Sequence, residues 1–228
     1  MQNIMKINKK FLVLLLLPLL FLIGANSSYA ANAGDAGYRE GGWLTFGNNH
    51  AGLYYGTMGG STEYVYEIQG YPAPYVQLST LNTFKDNKTF YGWFTNPSIY
   101  ASKRDQIMST AAALKNNPDI GYTAFAQLTY DDSSSSAYIS PAYVENIRCD
   151  GVVEYSYEYN DLWVWGKANP NNSSGTPTNF DISKKTNTQE HSNLGYDDPW
   201  FEVSPRVQRG AADVSNPTKW TQLRPRTS

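Results

Sequence analysis

One cysteine and two histidines stand out among the 228 residues. A lone thiol cannot form an internal disulfide, so Cys149 is either a nucleophile or a small buried hydrophobe. It lies in Ile147-Arg148-Cys149-Asp150-Gly151-Val152-Val153-Glu154-Tyr155-Ser156-Tyr157. Read as a helix beginning near the cysteine, this run puts Val152, Val153, Ser156 and Tyr157 on one face. Cys149 then sits at a helix N-terminus, where free N–H groups and the helix dipole favour a thiolate and can hold a developing oxyanion. A strand reading competes, because Val, Val and Tyr are β-formers. Arg148 beside the cysteine either lowers the thiol pKa or faces water.

A thiolate nucleophile needs a base. His50 opens the run His50–Gly56 (HAGLYYG), which pairs as a hairpin with Thr62–Gln69 (TEYVYEIQ) across the turn signal Thr57-Met58-Gly59-Gly60-Ser61. Alternation along a strand sends His50, Gly52 and Tyr54 one way and Ala51, Leu53 and Tyr55 the other. A two-residue loop at Met58-Gly59 sets Glu67 directly opposite His50, and one at Gly59-Gly60 sets it diagonally on the same face. Either register lets the carboxylate orient the imidazole as the third member of a triad. A three-residue loop flips the parity and breaks the arrangement. The bland alternative leaves Glu67 as a solvent-facing strand residue. The rival base is His191, set in the polar run Thr188-Gln189-Glu190-His191-Ser192-Asn193 without strand character, where a solvated histidine is expected.

These runs resemble a family. RCDGVVEY is similar to the DCSGLV-like runs that open a helix, and HAGLYYG to the HVGIY-like strands, of the NlpC-type papain-like cell-wall peptidases. Histidine precedes cysteine here, the order of the circularly permuted papain-like amidases of the YiiX/YaeF type. In those the strand after the histidine commonly presents a Glu, which YVYEIQG matches at Glu67. The resemblance spans roughly residues 38 to 160 and implies a Cys149–His50–Glu67 triad on a small sheet packed against the cysteine's helix. A helix followed by a Tyr-containing segment also looks similar and offers Tyr122 as an oxyanion or site-lining residue. Arg148 and Asp150 depart from the family pattern, and residues 161–228 have no counterpart in it.

The remaining elements are more ordinary. Trp43-Leu44-Thr45-Phe46 reads as a short strand. Ser102–Leu114 reads as a helix, with Ser102 and Asp105 resembling a capping box, Ile107, Met108, Ala111 and Leu114 at helical spacing, and Asn116-Asn117-Pro118 as its stop. Asp131 to Ser136 is a polar loop. Residues 167–193, rich in Asn, Ser, Thr and Lys, read as a long loop or excursion. Trp200, Phe201, Val203 and Trp220 supply apolar area for docking the tail back on the domain.

At the N-terminus, Lys6, Lys9 and Lys10 precede a run of about 15 apolar residues, Phe11 to Ala25, and then the small residues of Ser28-Tyr29-Ala30. This is the pattern of a secretory signal peptide cut after Ala30, with Ala33 as the alternative. The run is shorter than the roughly 20 residues a spanning helix needs, and Pro18 interrupts it. Residues 1–30 hold three of the 18 basic residues and none of the 20 acidic ones, so the remainder is mildly acidic. Without a basic patch, nucleic acid is not an expected partner. Two distant histidines with no CxxC and no HExxH form no recognisable metal-ligand set, and no glycine loop is shaped to cradle phosphate, so no cofactor is expected.

The expectation is therefore an α+β chain. Residues 1–30 are a signal peptide, and residues 31–228 form a single permuted papain-like domain with a loop-rich C-terminal extension and no membrane anchor after cleavage. It is expected to be a secreted or extracytoplasmic cysteine hydrolase acting on a peptide or acyl-amide, with peptidoglycan peptides as the natural substrates and esters permitted. Two other readings stand beside it. One is an inactive relative that binds glycans or peptides through its Tyr- and Trp-rich surface, for which Cys149 is dispensable. The other is a structural surface protein with a merely buried cysteine.

Overall fold

A computed structural model describes residues 30–42, 49–124, 126–165, 181–185, 204–211 and 221–226. The stretch before Ala30 expected to be a signal peptide, the Trp43–Phe46 run, His191, and the tail residues Trp200, Phe201, Val203 and Trp220 lie outside them. Among the described residues no helix is long and apolar enough to cross a membrane.

The fold is mixed α+β with a mostly antiparallel sheet. Strands β1 (Ala36–Arg39), β2 (His50–Met58), β3 (Thr62–Ile68), β4 (Val76–Thr80), β5 (Phe90–Thr95) and β9 (Arg224–Pro225) form one sheet in the order β4-β3-β2-β1-β5-β9, every pair antiparallel. A second, smaller sheet has the order β6-β8-β7, from β6 (Gly121–Tyr122), β7 (Leu128–Tyr130) and β8 (Val144–Ile147). Its β6–β8 pair is parallel. Four α-helices are described: α1 (Leu81–Lys85), α2 (Ala101–Asn116), α3 (Cys149–Glu158) and α4 (Pro205–Gln208).

The hairpin β2–β3 explains its own register. Met58 pairs with Thr62, so the connecting loop is the three residues Gly59, Gly60 and Ser61. That loop alone would turn Glu67 away from the histidine's face. The register shifts between Tyr54 and Gly56, however, leaving Tyr55 as an extra residue, and Tyr54 then pairs with Val65 and Leu53 with Tyr66. The bulge restores the parity the turn removes. Gly56 (φ +128°), Gly59 (+61°) and Gly60 (+102°) adopt backbone angles that side-chain-bearing residues rarely take. Continuing the same register sets Glu67 beside Gly52, diagonal to His50.

The cysteine run resolves as helix, α3, which follows directly on β8. It is buried on every side, and its Glu154 and Ser156 face no solvent. Val153 and Tyr157 pack with Tyr38, Ala51, Leu53 and Tyr66 of the large sheet and with Ile107 and Ala111 of α2. Val152 and Tyr155 pack with Ile68, Leu114, Ile139 and Ile147. The one-sided face expected from the sequence is thus only part of a helix enclosed all round.

Two further expectations need correction. Ser102 does not cap α2: the N-cap is Tyr100, without a side-chain bond, and Ser102 lies inside the helix. The stop is as expected, with the Asn117 N–H meeting the carbonyls of Ala113 and Leu114. Within the polar stretch 167–193, Asp181, Ile182 and Ser183 are buried rather than looped out. Ile139 donates its N–H to the Ser183 carbonyl at 2.8 Å, and Ile182 donates to Glu158 Oε2 at 2.9 Å.

Candidate active site

Two glycines make the floor on which the histidine is mounted. Gly37 of β1 and Gly52 of β2 are cross-strand partners. A Cβ on Gly37 would lie 2.4 Å from the Trp93 ring, and one on Gly52 would lie 2.6 Å from Val65 Cγ1 and 2.9 Å from Phe84 Cε2. Aromatic side chains therefore settle flat over the strands. The Phe84 ring, brought in by α1, stands 5.5 Å from the His50 ring and walls it on one side.

His50 Nε2 and Glu67 Oε2 are 2.7 Å apart, both buried. That bond occupies one ring nitrogen and leaves the other available, and the Cys149 side chain acts on the imidazole through its charge and a hydrogen bond. Cys149 opens α3 and His50 opens β2, so the thiol and the imidazole lie where the two elements begin. Burial by itself disfavours the imidazolium. The charge and hydrogen bond of Cys149, and then those of Glu67, outweigh it and lift the histidine to about 9. Burial likewise opposes the Glu67 carboxylate, but His50, followed by Ser79 and Gln69, holds its pKa below the ordinary value. Ser79 and Gln69 act on it from nearby, since Glu67 Oε1 makes no hydrogen bond of normal length and angle.

The start of α3 is built for close approach. The carbonyl of Gln127 accepts the Arg148 N–H at 3.0 Å. A Cβ on Gly151 would stand 2.4 Å from that same carbonyl oxygen. This is the physical reason for glycine two residues after the cysteine. Arg148 neither faces water nor stands as a free charge beside the thiol. It is buried and grips Asp150 with two bonds, Nε–Oδ1 at 2.6 Å and Nη2–Oδ2 at 2.7 Å. Burial opposes its charge, and the Asp150 carboxylate more than restores it. Cys149 Sγ lies 3.9 Å from Asp150 Oδ1.

Tyr122 ends β6 opposite Ile147, two residues before the cysteine. Its ring lies over Gly70, where an added Cβ would be 2.9 Å away. Burial, followed by the charges of Cys149 and Asp150, raises the Tyr122 phenol, so the hydroxyl stays a proton donor near the thiol. Cys149, His50, Glu67 and Tyr122 are thus brought together.

Several neighbours have no signal in the sequence. Arg39 pairs across the strands with His50, is buried, donates to the carbonyls of Phe84 and Glu40, and adds a positive charge near Glu67. Tyr38 feels the charge of Cys149, and Gln208 and Arg209 bond to Asp150 and Asn49, the chain neighbours of the pair. Each is an unremarkable residue in its own run, and only the tertiary fold assembles them. Along α3, Asp150, Glu154 and Glu158 make a buried acidic stripe at four-residue spacing. Gln127 Nε2 donates to Asp150 and Glu154 at 3.2 and 2.7 Å. Burial lifts Glu154 to about 8, with Asp150 adding to it against the hydrogen bonds of Gln208 and Gln127. Burial and then the charges of Glu154 and Asp181 raise Glu158 well above its ordinary value. Oε1 of each glutamate lacks a donor. The two lie one turn apart, and a proton shared between them satisfies both.

Chemically, a buried thiol, an imidazole oriented by a carboxylate, and the free N–H groups of the first helical turn can perform acyl transfer. No protein-family model matches this chain, and no curated protein or solved structure is significantly similar to it.

Proposed function

We propose that the chain is an exported cysteine hydrolase of permuted papain-like type, cleaving amide or ester bonds through Cys149, His50 and Glu67, with cell-wall peptides as its substrate class. One observation carries this reading. The lone cysteine opens a helix within reach of a histidine whose other nitrogen is 2.7 Å from a buried glutamate. The Cys149 thiolate attacks the carbonyl carbon, and the N–H groups opening α3 receive the oxyanion, with the Tyr122 hydroxyl lining the site. The His50 imidazolium then passes its proton to the departing amine or alcohol. Neutral His50 next takes a proton from water, the hydroxide attacks the thioester, and the thiolate leaves. Glu67 holds the ring in place and stabilises its charge throughout.

The test needs no substrate. The iodoacetamide alkylation rate is followed from about pH 4 to 9 in the wild type and in His50→Ala, Glu67→Ala and His191→Ala. The expected result is fast reaction at pH 5–6, where an ordinary thiol of pKa ~8.5 is almost wholly protonated, lost in His50→Ala and kept in His191→Ala. A second reading, an inactive binding relative, draws support from the 3 % exposure of both Cys149 and His50. An unreactive thiol in a folded protein would sink the hydrolase reading and leave a binding or structural role in its place.

A further inference from the structure

We propose that Gln208 and Arg209, two consecutive residues of the C-terminal segment, position both members of the Cys149–His50 pair. The inference rests on the hydrolase reading above. Gln208 is fully buried at the end of α4. Its Nε2 donates to the Asp150 carbonyl at 3.0 Å and to Glu154 Oε2 at 2.8 Å, while its Oε1 accepts the Tyr38 hydroxyl at 3.0 Å. Every polar atom of the amide is used, so its orientation follows from its partners. Arg209 donates from Nε to Asn49 Oδ1 at 2.7 Å, and its guanidinium lies 4.0 Å from the centre of the Tyr91 ring.

The consequence lies in chain order. Asp150 directly follows the nucleophile, and Asn49 directly precedes the base. One short segment therefore holds the neighbour of each, from two elements about 100 positions apart in sequence. The segment is itself anchored. Ser204 accepts from the Val207 N–H, Val207 and Ala211 are buried, and Thr221 Oγ1 donates to the Val207 carbonyl at 2.6 Å. Neither Gln208 nor Arg209 is placed against the reacting atoms, so both are positioning residues. Misplacement of a reacting pair by ~1 Å costs on the order of 10²-fold in rate, and a clasp of this kind limits such drift.

The experiment is the iodoacetamide pH profile in the full chain, with thermal midpoints measured in parallel. The variants are Arg209→Ala, Arg209→Lys, Gln208→Met, Asn49→Ala and the Asn49→Ala/Arg209→Ala double, with His50→Ala as control. Arg209→Ala and Gln208→Met should each lower the rate at pH 6 about tenfold and leave the rate at pH 9 near wild type, because an alkaline thiol ionises without help. Arg209→Lys, which keeps a cationic donor for Asn49, should recover most of the loss. The double variant should be no slower than Asn49→Ala alone. Loosening of the fold would instead expose the thiol and raise the rate at every pH. Wild-type rates at pH 6 in Arg209→Lys, Gln208→Met and Asn49→Ala, with His50→Ala collapsed, overturn the positioning role alone. An undiminished His50→Ala overturns the hydrolase reading, and the positioning role with it.

Discussion

At the N-terminal end of α3 each buried charge faces its opposite. Arg148 clasps Asp150, and His50 stands between Cys149 and Glu67. One and two turns further along, Glu154 and Glu158 face each other, and Glu158 the Asp181 carboxylate, instead, with an oxygen of each glutamate lacking a donor. Burial is alike at the two ends, since Glu67, Asp150, Glu154 and Glu158 all lie within 1 % of complete burial. The sign of the neighbours differs, and that decides the direction: Glu67, beside the imidazole, is held below the ordinary carboxyl value, while Glu154 and Glu158 are pushed above it. A buried ionisable residue is therefore no mark of catalysis in itself. A buried pair of opposite sign, reaching the end of an element, is the more specific signature.

Four changes break or sharpen this contrast. His50→Ala removes the cation beside Cys149 and should cost about 10²- to 10⁴-fold in alkylation at pH 6 or in any hydrolysis, read by stopped-time labelling and mass spectrometry. Gly151→Ala, between Cys149 and the stripe, drives a Cβ to 2.4 Å from the Gln127 carbonyl. We expect a loss of about 3 kcal/mol in a urea titration. Glu67→Gln keeps the shape but withdraws the negative partner, so the imidazolium should lose its proton about one to two pH units lower. The rate at pH 6 should then fall roughly 10- to 100-fold.

The smallest effect tests the stripe. His50, raised from 6.5 to about 9, contributes stability that is whole below about 6.5 and is lost as pH climbs through about 9. Glu154, raised from 4.5 to about 8, has the same sign, its contribution whole below 4.5 and lost as pH rises through about 8. The wild type should therefore melt at lower temperature as pH rises from 5 to 9. Glu154→Gln keeps an acceptor for Gln127 and Gln208 and offers a donor to Glu158. It should gain about 1–2 kcal/mol at pH 8.5 and nothing comparable at pH 4.5. An unchanged alkaline melting curve would mean that Glu154 is not protonated in the folded chain.

The grouping at the start of α3 was more legible in the sequence than the stripe. Cys149, His50 and Glu67 were legible because each is rare or sits in a run whose period assigns it a face. The diagonal register was also among those considered, but its cause was not, because turn length and bulge cancel. Gly59-Gly60-Ser61 shifts the parity and Tyr55 shifts it back, and a count of loop residues sees only the first. The stripe was illegible for another reason. Acids at four-residue spacing ordinarily mark a solvated helix face, and Glu154 is enclosed only because Gln127 and Gln208 arrive from distant parts of the chain. Strand β1 was missed as well, since Ala36–Arg39 is too short to show alternation and takes its place from the pairing with β2 and β5.

Enclosure of α3 on all sides has a kinetic consequence. A helix with a solvent face can fray or swing out while the rest of a domain stays closed, but this one is covered by both sheets, α2 and the C-terminal segment. Its amide protons can reach deuterium only when the molecule opens as a whole, so they should exchange last and at the rate of global unfolding. Assembly of the site and completion of the fold are then the same event.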